Sequence, residues 1–396
     1  MEGIMAFQTG PSTRCVHAGR RVDPDSRLIL PPIVENAAFA FPDLATWRAV
    51  ATHDQAGDTY SRNSNPTERR FEQAVAELEG AEAGISFSTG MAAIHTTLMS
   101  LLSPGMRAVS IRDAYGATYL HFTQILPRFG IECAVCETLD EAGILAAIEG
   151  GCDLLYMESP TNPLLRVVDL AKLSAAAHAV GGLVVVDNTF ATPINQHPLE
   201  LGADLVVHSA TKYLGGHNDV MAGVVVGSRE TIERIYRYRE LTGPGMDPRR
   251  AHALLRSIKT LALRVERQNA NAMAMAEFLS GHPNVVRVLY PGLESHPNHA
   301  VARRQMSGFG GVLSFEVRGG LDAIAKFLPR LEFAYLAPNL GQVDTIVGPP
   351  ALTSHVELTE SERRASGVPE GLVRYAVGIE DPEDLKSDME AALAVL

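Results

Sequence analysis

An apolar run of strand length, Leu205-Val206-Val207-His208, leads into Ser209-Ala210-Thr211-Lys212-Tyr213-Leu214-Gly215-Gly216. Valine-rich runs of this kind suit a strand buried on both faces. Two hydroxyl residues and a lysine stand where that strand ends, just before a turn containing glycine. The order suits a lysine that forms a Schiff base while adjacent hydroxyls hold a phosphate. It also suits a surface lysine that merely follows a strand, and the stretch alone leaves both readings open.

Working outward, similar runs recur at intervals. Residues 83–87, 107–111, 131–136, 154–158, 183–187 and 220–226 read as strands. Residues 68–79, 91–102, 118–129 and 169–179 between them carry helical periodicity. Alternation of apolar strands and helices predicts an α/β fold with a mostly parallel sheet covered on both faces. Residues 232–279 read as helical with a break around Gly243-Pro244-Gly245. Beyond Val285 the pattern changes to a smaller α+β region, with strands at 312–317 and 372–378 and helices at 321–328 and 382–396. Residues 1–62 look irregular, which suits an arm packed on another subunit or a disordered one. The organisation expected is an arm over 1–62, a large cofactor-binding domain over 63–257 and a C-terminal domain over 258–396. The last boundary falls inside a long helix near 256–263.

Composition narrows the class. A chain of 396 residues can bury a large core. Its net charge of −12 gives no whole-molecule attraction to nucleic acid or anionic membrane. Four cysteines make no disulfide framework at this length, and Cys133 and Cys136 read as packing residues on a strand rather than a redox or zinc motif. Residues 1–10 lack a basic segment followed by an apolar core, and no apolar run approaches a membrane span. A cytoplasmic protein is the expectation.

Asp187 ends the strand Leu183-Val184-Val185-Val186. In an open parallel sheet that end faces the ligand crevice. An aspartate there could bind magnesium, accept a hydrogen bond or pair with a protonated heterocycle. With Lys212 beyond the next strand, the two could grip opposite ends of one aromatic aldehyde. Pyridoxal phosphate needs that arrangement. Ser88-Thr89-Gly90-Met91 joins a strand to a helix and reads either as a phosphate-binding turn or as an ordinary capped helix. Tyr115, between a strand and a helix, either stacks on a ring or packs in a turn.

With these residues in hand, the chain resembles the Cys/Met-metabolism family of pyridoxal-phosphate enzymes, the group of cystathionine and methionine γ-lyases, cystathionine γ-synthases and O-acylhomoserine sulfhydrylases. The resemblance rests on residues 60–67, 88–93, 158–163, 187–193 and 209–217, and extends through 259–261, 287–291 and 373–384. It implies fold type I, the aspartate aminotransferase-like fold, and pyridoxal 5'-phosphate as cofactor. By the same resemblance Lys212 carries the cofactor and is the mobile base, and Asp187 meets the pyridine nitrogen. Gly90, Met91, Ser209 and Thr211 hold the phosphate, joined by Tyr60 and Arg62 from a neighbouring subunit of a homotetramer. Tyr115 stacks on the ring and is the acid or base near the γ-substituent. Asn162, Asn339 and Arg374 meet the substrate, the last as a guanidinium fork on its carboxylate.

The pattern departs from the family in four places. Ala117 stands where methionine γ-lyases carry cysteine, and Asn339 stands where the family usually has serine. Asp344 replaces a common glutamate, a change expected to alter the fit of the distal half of cystathionine. Residues 246–252 lack the usual Pro-Phe-Asp run. The reading is a lyase that cleaves a C–S bond by γ-elimination from cystathionine or a methionine-like amino acid. The alternative is γ-replacement on an O-acylated homoserine. A scaffold that has lost activity is a third class, disfavoured by the presence of Lys212, Asp187, Arg62 and Arg374 together.

Overall fold

The computed structural model describes residues 9–20, 27–52, 54–354, 356 and 359–396. The leader reading of residues 1–10 therefore falls almost wholly outside the described residues.

The N-terminal arm is less irregular than its composition suggests. It holds α1 (Pro11–His17) and α2 (Leu44–Ala51). Proline at the first turn suits α1, and Asp43 Oδ1 caps α2 by accepting from Thr46 N at 2.7 Å. Both helices are too short to show helical periodicity. The chain then enters α3 (Pro66–Glu79), capped by Asn65, and β1 (Ala83–Phe87).

There follow α4 (Gly90–Leu101), β2 (Arg107–Ile111), α5 (Gly116–Leu120), β3 (Glu132–Cys136), α6 (Glu141–Glu149), β4 (Leu154–Glu158), α7 (Leu170–Ala179) and β5 (Leu183–Asp187). Next come α8 (Thr192–Asn195), β6 (Leu205–Ser209) and β7 (Gly223–Gly227). The helix expected over 118–129 begins two residues early, as α5. It loosens into a π-turn at His121–Ile125 and a 3₁₀ turn at Leu126–Phe129, where Pro127 has no N–H to continue the ladder. The helix α6 had no expectation, because Ala-Gly-Ile-Leu-Ala-Ala-Ile is too uniformly apolar to show a face. Its sequence signal was the cap, Asp140 Oδ1 accepting from Gly143 N at 3.0 Å.

The seven strands order as β1-β7-β6-β5-β4-β2-β3, and all pairs are parallel except those made by β7. The segment 210–222 between β6 and β7 makes turns and no crossover helix, so β7 returns antiparallel beside β6. One large core packs α4, α6, α7 and α9 (Arg229–Thr242) against one face of this sheet. Another packs α3, α10 (Pro248–Ile258) and α11 (Leu261–Ser280) against the other. The single helix expected across 256–263 is thus two. At the break, Thr260 leaves helical geometry and its hydroxyl donates to Ser257 O at 3.1 Å.

The remaining elements are β8 (Val285–Leu289), α12 (His299–Gln305), β9 (Val312–Val317), α13 (Gly320–Phe327), β10 (Tyr335–Leu336), β11 (Ile346–Gly348), α14 (Glu360–Ala365), β12 (Leu372–Ala376) and α15 (Pro382–Leu393). They form a second sheet, β10-β11-β12-β9-β8, packed on α11, α13 and α15. Cys133 and Cys136 lie on β3, and burial pushes both thiols up, to about 11 for Cys133. They are therefore protonated at neutral pH and act in packing. No helix among the described residues is long and apolar enough to cross a membrane.

Candidate active site

Three parallel strands end side by side beneath one cavity of about 420 Å³. Register aligns Glu158 of β4 with Asp187 of β5, and Asp187 with Val207 of β6. In a parallel pair, side chains in register share a face. Glu158 and Asp187 therefore both point into the cavity, and Lys212 follows on the turn beyond β6.

Lys212 does not lie on the surface. Its amine donates to Asn339 Oδ1 at 2.5 Å, and burial, aided by Arg374, lowers its pKa to about 8. Burial disfavours the ammonium, so a sizeable neutral fraction exists near neutrality. Asn339 therefore accepts from the lysine. Its own amide donates to Asn218 Oδ1 at 2.8 Å. Its backbone carbonyl takes Arg374 Nη2 at 2.9 Å, and Arg374 Nη1 reaches Asn162 Oδ1 at 3.2 Å. Arg374 is buried on β12, and burial pulls its pKa down to about 10. No carboxylate of the described residues pairs with it, so its guanidinium is held by carbonyl oxygens and available to an incoming anion.

Asp187 Oδ1 accepts from Thr189 N at 3.0 Å, and Oδ2 accepts from Tyr156 OH at 3.3 Å. Burial raises its pKa, while the Thr189 contacts and His208 oppose the rise. Glu158 was absent from the expected set. Burial and the neighbouring Asp187 hold its carboxyl well above the usual range, and its Oε2 accepts from Tyr115 N at 2.7 Å. It thus fixes the base of the Tyr115 turn. The available signal was a lone charge closing an all-apolar strand. Tyr115 itself lines the cavity with its side chain exposed at the mouth.

Opposite Lys212, α4 points its N-terminus into the cavity. Thr89 caps it, accepting from Ala92 N at 3.0 Å. Gly90 and Met91 supply the first amides, and Ser209 and Thr211 supply hydroxyls on the facing wall. A Cβ on Gly90 would fall 2.9 Å from Ser209 Cβ, so only glycine lets the helix end approach this closely. The Thr211 hydroxyl also exchanges bonds with Ala222 N and O, at 3.0 and 3.2 Å.

A helix N-terminus with facing hydroxyls suits a phosphate, a partly neutral lysine suits an aldehyde, and a buried carboxylate suits a ring N–H. The residues fit pyridoxal phosphate on all three counts. Two expected ligands stand apart. Tyr60 and Arg62 are exposed on the arm, outside the cavity, with the guanidinium 5.4 Å from the Tyr60 ring centroid. Asp344, expected to alter the distal substrate fit, is exposed and does not line the cavity. Ala117 lines an adjoining cavity of about 270 Å³ that shares Tyr115, Thr353 and Ser354 with the first.

Residues 12–394 match the family of Cys/Met metabolism PLP-dependent enzymes. The chain belongs to this family, and its cofactor is pyridoxal phosphate. It is 42% identical to L-methionine gamma-lyase of Pseudomonas putida, over 97% of each chain. It is 41% identical to the chloroplastic cystathionine gamma-synthase 1 of Arabidopsis thaliana, over 99% of this chain and 70% of that protein. The solved structure of cystathionine gamma synthase from Xanthomonas oryzae pv. oryzae, in complex with aminoacrylate and cysteine, superposes with a TM-score of 0.93 at 38% identity, covering 98% of both chains. Lyases and synthases are thus equally near, and the fold is that of fold type I enzymes.

Proposed function

We propose that this member of the Cys/Met-metabolism family is a C–S lyase. It releases a thiol, 2-oxobutanoate and ammonia from cystathionine or a methionine-like amino acid by γ-elimination. The observation that carries the reading is the joining of Lys212, Arg374 and Tyr115 in one cavity. Arg374 binds the substrate carboxylate, and the chain Asn162–Arg374–Asn339–Lys212 sets its distance from the amine. Arg374 is the only cation besides Lys212 among the described residues lining the main cavity. One carboxylate receptor, with Met91, Ile94, Phe190, Pro338 and Leu340 around it, suits one amino-acid head and an apolar thioether tail.

Bound pyridoxal phosphate supplies an electron sink that acidifies the α-proton. Asp187 would hold its ring nitrogen, and Gly90, Met91, Ser209 and Thr211 its phosphate. Lys212 takes the α-proton and later moves protons along the chain. Tyr115, at the mouth, protonates the departing sulfur as the Cγ–S bond breaks. Tyr60 and Arg62 complete the phosphate site of a second copy in a homotetramer.

The second reading, replacement of the γ-substituent by a nucleophile, draws support from the adjoining cavity beside Tyr115, which offers space for an acceptor. Incubation with cystathionine, methionine and O-acylhomoserines, with and without added thiol, separates the two. Release of 2-oxobutanoate and ammonia without acceptor is expected. Strict dependence on a thiol would overturn elimination in favour of replacement.

A further inference from the structure

The cavity occupies one face of the strand ends, and a second polar network lies on the opposite face. Asn188 follows Asp187, and His208 precedes Ser209, so their side chains point away from the cavity. Neither lines it. Both meet Glu79, the last residue of α3. Asn188 Nδ2 donates to Glu79 Oε1 at 2.9 Å, and His208 Nε2 lies 2.6 Å from the same oxygen. Gln196 extends the network to β4, donating to Asn188 Oδ1 and to Ser159 O, each at 2.9 Å. Ser159 adjoins Glu158. One buried belt therefore ties together the three strand ends whose other faces carry Glu158, Asp187 and Ser209.

Glu79, Asn188 and His208 are each at most 1% exposed. A carboxyl group so placed is strongly unfavourable unless hydrogen-bonded. Asn188 and His208 both stand within hydrogen-bond reach of its Oε1. His197 stands farther off, with Nδ1 3.9 Å from Oε2.

We propose that Glu79 is a positioning residue for the cofactor, acting through Asn188 on Asp187 and through His208 on Ser209. It fixes the spacing of the strand ends from beneath. The proposal rests on family membership and is indifferent to elimination or replacement.

Two variants of the full chain test it, Glu79→Gln and His208→Gln, each loaded with pyridoxal phosphate. The amide keeps the shape of Glu79 and removes its charge. Glutamine at 208 retains a donor at a different reach. Two quantities are read: the cofactor dissociation constant by absorbance titration and the melting temperature of the apo-protein. Loss of the hydrogen bonds at Glu79 Oε1 should raise the dissociation constant about tenfold in Glu79→Gln, and His208→Gln should raise it by a fewfold. A lower apo melting temperature with unchanged affinity would make Glu79 purely structural and overturn the proposal. If Glu79→Gln does not fold, His208→Gln decides alone: an unchanged dissociation constant overturns the proposal.

Discussion

Lys212 and Arg62 are two cations proposed to serve one kind of site, and their surroundings are opposite. Lys212 leaves a buried strand, bonds Asn339 and shares a cavity with Asp187 and Arg374. Arg62 stands on an exposed arm against Tyr60, outside that cavity. Packing prepares the first within one chain. The second has a ring to lie on and no ion pair among the described residues. On the proposed reading, folding builds one part of the site and association the other.

The largest effect expected is on the packed side. Lys212→Ala removes the proposed anchor of the cofactor and the proposed base, and turnover should fall about 10³-fold or more. A smaller loss would mean that another group carries the proton. Arg374→Ala should raise KM by about 30-fold or more, because a buried charge-paired hydrogen bond to substrate is worth roughly 2–5 kcal/mol. An unchanged KM would remove it from substrate binding.

The packed side should also carry a pH signature. Burial lowers the Lys212 amine to about 8. The neutral form attacks an aldehyde, so its share grows as pH rises through that value. Capture of pyridoxal phosphate by apo-protein, followed by absorbance, should therefore accelerate roughly tenfold between about pH 7 and 9. A flat profile across that window would contradict the burial argument.

The smallest effect belongs to the arm. Arg62→Ala should loosen the cofactor by a fewfold to about tenfold, the worth of one charged hydrogen bond. Co-expression with Lys212→Ala chains sharpens the comparison. If arms serve neighbours, a mixed assembly contains one site with both residues intact, and activity should exceed that of either variant alone. Activity no higher than that of Arg62→Ala would confine Arg62 to its own chain.

Legibility followed the same division. Strand ends such as Ile111, Glu158 and Asp187 were readable to the residue, because a buried strand must be continuously apolar and must stop where polarity returns. Lys212, Asp187 and the turn at Gly90 were readable because each interrupts such a run with chemistry. The arm helices and α6 were not, being too short or too uniformly apolar to display a period. Glu158 gives little signal, because a charge closing a strand looks like any solvated end. Only its register with Asp187 shows that it is buried beside a second carboxylate. Asp344 is exposed and lies outside the cavity lining, so a role in fitting the distal half of cystathionine was not legible from its place in the motif alone.

The sequence by itself determined the α/β class, the family, and the lysine and aspartate proposed to hold the cofactor. Those features are local, written in periodicity and in the residues that break it. The tertiary structure alone decided that Asn339 accepts from Lys212, that Glu158 faces Asp187, and that Glu79 braces both strand ends from below. Each of these joins residues far apart in the chain, and burial and hydrogen-bond partners exist only once the chain has closed on itself.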